Sequence, residues 1–219
     1  MIIIDTKGSD NKKIDGIKNI PLYKFKPLAH KIKNTNYTDF IFQSPQAVLN
    51  FSDHLHLLKK ENINAYTMGH ATNEALSSFG IDSINPNNPR SEELIKIIKD
   101  QMHNKKFLII KGLNGLNIVS KFLKENDIYS EEIIVYERVE LEDYTNLRNE
   151  YKSADAIIFP SVYAVEIFLK KIYTKKINAK LFCISNRILD QLCKKGLQGI
   201  VLSNYFSVGD LIKEIKRSI

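Results

Sequence analysis

The chain has 219 residues, 43% of them hydrophobic, and carries 32 lysines and arginines against 25 aspartates and glutamates, a formal charge of +7. That length buries a substantial core as one large domain or two small ones, and no segment approaches the length of a membrane span. The positive field favours an anionic partner, but the chain has no arginine-rich run, aromatic ladder or nucleic-acid motif, so nucleic acid is not the expected partner.

Ile2-Ile3-Ile4 opens the chain as a strand, and Asp5-Thr6-Lys7-Gly8 reads as a turn leading into a short polar helix up to about Ile17. The N-terminal apolar run is far too short for a signal-peptide core, which points to a soluble, cytoplasmic protein. Asn19 to Pro27 alternates Leu22, lysine and Phe25 between two prolines, as an exposed or edge strand does. From Asp39 strands and helices alternate: a strand at Phe40-Ile41-Phe42, a helix to about Asn62, a strand from Ala65 to Met68, and a helix from Ala71 to Phe79 that Gly80 stops. Asp82-Ser83-Ile84 and a proline-rich loop follow. Ser91 then starts a helix with Glu92 and Glu93 in the first turn, where the helix dipole favours carboxylates, and it ends near His103.

Phe107-Leu108-Ile109-Ile110 is an apolar strand ending in the polar turn Lys111-Gly112-Leu113-Asn114-Gly115, and Ile118, Val119, Phe122 and Leu123 line one side of the next helix. Ile133 to Glu140 passes from an apolar run to strict alternation, with Tyr136 and Arg138 on a different register from Val135 and Val139. A polar helix from Asp143 to Lys152 follows, and an amphipathic tail from Val208 to Ile219 closes the chain. Cys183, in an expected strand, and Cys193, in an expected helix, have no CxxC spacing and no histidine at ligand distance, and both read as inert core thiols.

One stretch is written twice. Phe42 to Phe51 and Phe159 to Phe168 both read Phe-x-Ser-x-x-Ala-Val-x-x-Phe, each after an acidic residue and a short apolar run. Ser44 and Ser161 stand where such a strand ends and where a hydroxyl caps the following helix. The echo continues from Met68-Gly69-His70-Ala71-Thr72 with Leu76 and Gly80 to Ile184-Ser185-Asn186-Arg187-Ile188 with Leu192 and Gly196. Two copies at a domain-sized period indicate an internal duplication rather than a solenoid.

Strands alternating with helices give an α/β fold with parallel sheets. The first strand joins the last third of the chain only if the chain leaves one domain and returns. We therefore expect two similar parallel-sheet βα domains: residues 1–22 with 143–219, and residues 31–133 inserted between them. Residues 23–30 and 134–142 form a two-stranded β ladder joining the domains, with a cleft between.

The ordered set DFIFQSPQAV, MGHATNEALSSFGI, IIKGLNG and IIVYERVE, with its second-half echo, resembles uroporphyrinogen-III synthase over nearly the whole chain. The resemblance implies an enzyme, a lyase, that holds the linear tetrapyrrole hydroxymethylbilane. It closes the ring through a spiro intermediate, inverting the last pyrrole and losing water. It implies no organic cofactor and no metal, consistent with His70 lacking a second ligand at usable spacing. A monomer with no nucleic-acid or membrane partner is the expected state.

By the same resemblance Tyr136 matches the family's suspected proton donor, suited by a phenol that ordinarily keeps its proton at neutral pH; the plainer reading is a packed connector tyrosine. Ser44, Gly69, Thr72, Gly112 and Asn114 match polar strand-end positions that would meet the carboxylates of the substrate, with helix capping as the plainer role of Ser44 and Thr72. Ser161 holds the corresponding place in the other domain, and Lys7 stands where many members carry arginine, keeping the charge without the bidentate fork. Ser185-Asn186-Arg187-Ile188 departs from the family's glycine, two variable residues and threonine. Ile188 cannot donate a hydrogen bond, and Arg187 either binds a carboxylate in compensation or is solvated. A non-enzymatic tetrapyrrole or polyanion binding module on this fold is the alternative, and a hinge-closing small-ligand receptor a weaker one.

Overall fold

Short apolar runs bounded by polar turns form the strands in a computed structural model that describes residues 1–8, 15–34, 36–205 and 207–219. The chain divides into two units, one made of Met1–Lys24 and Val139–Ile219, the other of Phe25–Arg138. No helix among the described residues is long and apolar enough to cross a membrane.

The Phe25–Arg138 unit carries a sheet of β3 (Tyr23–Pro27), β4 (Asp39–Phe42), β5 (Asn64–Thr67), β6 (Phe107–Gly112) and β7 (Ser130–Glu140) in the order β3-β7-β6-β4-β5. β4 pairs in parallel with both β5 and β6, and β6 with β7. All residues of β4 and β6 are buried, as expected of strands covered on both faces. Because side chains alternate across a strand, Phe40, Phe42, Leu108 and Ile110 join one core with Val48 and Phe51 of α1 (Pro45–Asn50) and its C-cap. Ile41, Phe107 and Ile109 join the other, with Leu94 and Ile98 of α3 (Ser91–Ile98) and Val119 and Leu123 of α4 (Ile118–Glu125).

The unit holding both ends of the chain repeats this plan. Its strands are β1 (Ile3–Asp5), β2 (Ile17–Asn19), β8 (Ala156–Phe159), β9 (Lys180–Cys183) and β10 (Ile200–Val201), all parallel, in the order β10-β9-β8-β1-β2. Ser44 and Ser161 both cap the helix after the repeated strand, accepting from the N–H of Ala47 at 3.1 Å and of Ala164 at 3.2 Å. Even the outer strand is matched: Ile200 pairs with Phe182, and Ile84 makes the equivalent parallel bridge to Tyr66. The place that β6 holds beside β4 is taken beside β8 by the N-terminal strand β1.

Several boundaries differ from expectation. Ile17–Asn19, expected at the end of a helix, is β2, entered through Gly16 at φ 84; most of that expected helix lies outside the described residues. The helix from Ser44 stops at Asn50 because Phe51 N–H turns back to the Val48 carbonyl, and Ser52–Lys59 continues as a tighter 3-10 helix. α3 ends at Ile98, not near His103. Lys111 and Gly112, read as a turn, still belong to β6. Cys193 is exposed, so it is no core thiol, whereas Cys183 is buried and burial pushes its thiol up to about 12.

Candidate functional site

In an open parallel sheet the backbone N–H groups and helix N-termini that meet ligands gather at the carboxyl ends of the strands. The strand-end residues singled out in the sequence fall there, and Tyr136 lies within β7 (Ser130–Glu140). Ser44 follows β4, Gly69 and Thr72 follow β5, and Gly112 and Asn114 close β6. Lys7 follows β1, Ser161 follows β8, and Ser185 and Arg187 follow β9, the three strands being adjacent in the other unit's sheet.

Within the Phe25–Arg138 unit the structure brings three of them into contact. The ladder between β6 and β7 slips at its end: Lys111 faces Ile134, but Gly112 faces Tyr136, so β7 carries one extra residue there. Such a bulge breaks alternation, and the neighbours Val135 and Tyr136 are both buried as a result. The hydroxyl end of the Tyr136 ring lies against Gly112, so close that a Cβ built on Gly112 would be 2.4 Å from Tyr136 Cζ and 2.8 Å from its Oη. Phe25 packs edge-on to the same ring at 5.3 Å. The hydroxyl so fixed is hydrogen-bonded to Ser44 Oγ at 2.9 Å.

The loop after β6 runs beside this contact. Leu113 N–H donates to the Tyr136 carbonyl at 2.8 Å, and Gly115 N–H to the Gly112 carbonyl at 3.0 Å. Asn114 stands at φ 62, the left-handed region that asparagine tolerates better than most. Among the described residues neither Asn114 N–H nor Leu116 N–H has an acceptor. They stand on either side of Gly115, whose own N–H is spent on Gly112, so the turn offers an anion two open backbone donors rather than an unbroken row of them.

Gly69 begins α2 (His70–Ser77) with its Cα against Pro89, where a Cβ would come within 2.5 Å of the proline ring. Thr72 lies on the buried side of that helix at 4% exposure. Its counterpart Ile188, on α7 (Asn186–Cys193), is likewise buried at 2%. The exchange of threonine for isoleucine therefore sits at a buried position in both units, which an apolar side chain tolerates. Arg187 is exposed, and Ser185 begins α7 without a side-chain cap bond.

Sequence reasoning missed two features. Tyr23 covers Gly8 as Tyr136 covers Gly112, with a Cβ on Gly8 falling 2.4 Å from Tyr23 Cε2, and the Tyr23 ring packs edge-on to Tyr163 at 5.3 Å. The signal was present in the Lys-Gly pair that ends both apolar strands, Lys7-Gly8 and Lys111-Gly112. The second feature is Asp5, buried at the end of β1, whose carboxylate accepts from Lys7 N–H and from the Tyr205 hydroxyl, each at 2.9 Å. Burial raises its pKa, opposed by those two hydrogen bonds and by the Lys7 charge.

A raised folded-state pKa means that the folded chain holds the Asp5 proton more tightly than the unfolded one. The stability it contributes is present at low pH and is lost as pH rises through the folded value. In Asp5→Asn this loss should vanish. Thermal melts from pH 4 to pH 8 should show the variant gaining on the native chain as pH rises; parallel curves would mean that Asp5 is not titrating there.

Among the described residues no cluster of three or more histidine, cysteine, aspartate or glutamate side chains is arranged to hold a metal ion. Residues 18–213 match the family described as uroporphyrinogen-III synthase HemD. Uroporphyrinogen-III synthetase from Helicobacter pylori is similar in fold, with a TM-score of 0.72 at 18% identity over 97% of this chain and 98% of that one. A mutant uroporphyrinogen III synthase from Thermus thermophilus gives a TM-score of 0.59 at 13% identity, over 99% of this chain and 98% of that one. No curated protein matches the sequence.

Proposed function

This chain belongs to the uroporphyrinogen-III synthase family and is an enzyme that cyclises that family's linear tetrapyrrole; from that premise we propose that it is a lyase, with Tyr136 as the proton donor. Hydroxymethylbilane loses its terminal hydroxyl as water, and a carbon of the last pyrrole attacks the carbon so uncovered, passing through a spiro intermediate before the ring closes with that pyrrole inverted. The phenol proton of Tyr136 goes to the departing oxygen, released as water; the spiro intermediate then breaks the last pyrrole's original bond to the chain and re-forms it at that pyrrole's other α-carbon, whose displaced proton restores the phenol.

The observation that carries this role is the contact of Tyr136 Oη with Ser44 Oγ at 2.9 Å. Ser44 Oγ accepts the Ala47 N–H and has one proton of its own to donate. When that proton goes to the phenol oxygen, the phenol hydrogen is free for the substrate. Gly112 and Asn114, with the open N–H groups of their loop, receive carboxylates of the same substrate, and Gly69 and Thr72 line the neighbouring strand end. Lys7, Ser161, Ser185 and Arg187 form the carboxylate-binding set of the other unit, Arg187 supplying a charge where threonine is lost.

Given hydroxymethylbilane, the protein should yield the type III isomer; formation of only the uninverted type I product would overturn the reading. Retention of the bilane without turnover would select a binding module instead. Tyr136→Phe should lower kcat about tenfold while KM changes little, a partial loss because holding the two ends of the chain together supplies much of the rate. Unchanged kcat would reduce Tyr136 to packing.

A further inference from the structure

We propose that Lys111 is a positioning residue that fastens the loop Leu113–Asn117 in the form that receives a substrate carboxylate. The proposal rests on the reading of that loop as part of the substrate site. Lys111 is 2% exposed, a burial that lysine tolerates only when paired. An ammonium has three N–H donors, and here all three are used. They reach Glu132 Oε1 on β7 at 3.0 Å, the Leu116 carbonyl at 3.3 Å, and Asn117 Oδ1.

Two of these three acceptors lie on the loop, and the third anchors the ammonium to the strand that bears Tyr136. The Leu116 carbonyl also accepts from Gln43 Nε2 at 3.1 Å, and Gly115 packs so closely that a Cβ would lie 3.1 Å from Lys111 Cε. The bonds draw the Leu116 carbonyl and the Asn117 amide inward. Among the described residues the N–H groups of Asn114 and Leu116 have no acceptor, which gives the loop two open donors for an anion. Its charge is paired with Glu132, so Lys111 acts on the carboxylate through the shape of the loop rather than through its own field or by touching it.

The test uses the full chain with hydroxymethylbilane and two variants. Asn117 is exposed, so Asn117→Ala removes one tie without stranding a buried charge, and it decides the matter if Lys111→Met fails to fold. KM should rise about fivefold in Asn117→Ala and about tenfold in Lys111→Met, the scale of one charge-assisted hydrogen bond. In both, kcat should stay within about twofold and amide exchange of residues 113–117 should quicken. A fall in kcat at constant KM, or faster loop exchange with no change in KM, would overturn the proposal. Asn114→Asp, which sets a carboxylate at the tip of the loop, separates the two levels. If it alone raises KM, the loop binds substrate and Lys111 does not position it. If none of the three raises KM, the loop is no part of the substrate site and both readings fall.

Discussion

Replacing Gly112 by alanine is expected to lower turnover about a hundredfold while the protein stays folded. The added Cβ would stand 2.4, 2.6 and 2.8 Å from Cζ, Cε2 and Oη of Tyr136, distances that cannot be kept. The atoms that must yield are the far end of one side chain and not backbone, so the ring swings away and the sheet survives, at an overpacking cost of roughly 1–3 kcal/mol. The hydroxyl then leaves Ser44 and the line along which it delivers a proton, and a displacement of about 1 Å at such a group costs about a hundredfold. The loss should exceed that of Tyr136→Phe, because the displaced ring also fills space meant for substrate. Native-like circular dichroism with kcat reduced to that extent would bear this out. Turnover within about threefold of the native chain would show that the ring and its hydroxyl have no part in the reaction.

Phe51→Ala should be the most destabilising single change in the Phe25–Arg138 unit, by about 3–5 kcal/mol. Phe51 is fully buried and closes α1 at the point where the helix tightens into the 3-10 segment. Its ring stacks on His30 at 6.0 Å and meets His54 at 5.3 Å, Phe42 at 5.7 Å and Phe40 at 6.4 Å. Truncation opens a cavity ringed by four aromatic side chains, Phe40 and Phe42 held by β4 and His54 by the 3-10 segment, which limits collapse. Urea unfolding should show an earlier transition in the variant, whereas a loss below about 1 kcal/mol would mean that the 3-10 segment repacks into the space.

The two parallel sheets were legible because burial on both faces imposes unbroken apolar runs, and those runs are plain at Phe40-Ile41-Phe42, Phe107 to Ile110 and Ala156 to Phe159. The serine caps were legible for a similar reason: a strand end and a helix start place one hydroxyl at one position, and both copies keep it. β2 was not, because three residues of mixed polarity carry no period, and its strand state comes from pairing with β1. Lys111 was read as a turn because lysine after an apolar run usually marks solvent. Its burial depends on Glu132 and Asn117, which lie 21 and 6 residues away and which no local pattern connects. Asp5 escaped notice likewise, its partner Tyr205 lying 200 residues distant.

The supernumerary residue in β7 sets the phase of everything beyond it. Two-residue alternation up to Ile134 and again from Tyr136 onward differ by half a period, so the same strand shows one parity to β6 and the opposite parity toward Glu140. Deleting Val135 would restore a single phase. The strand would still pair with Tyr136 opposite Gly112 and its phenol on the same face; what would go is the local bend of the bulge and the Val135 side chain that fills the core beside the ring.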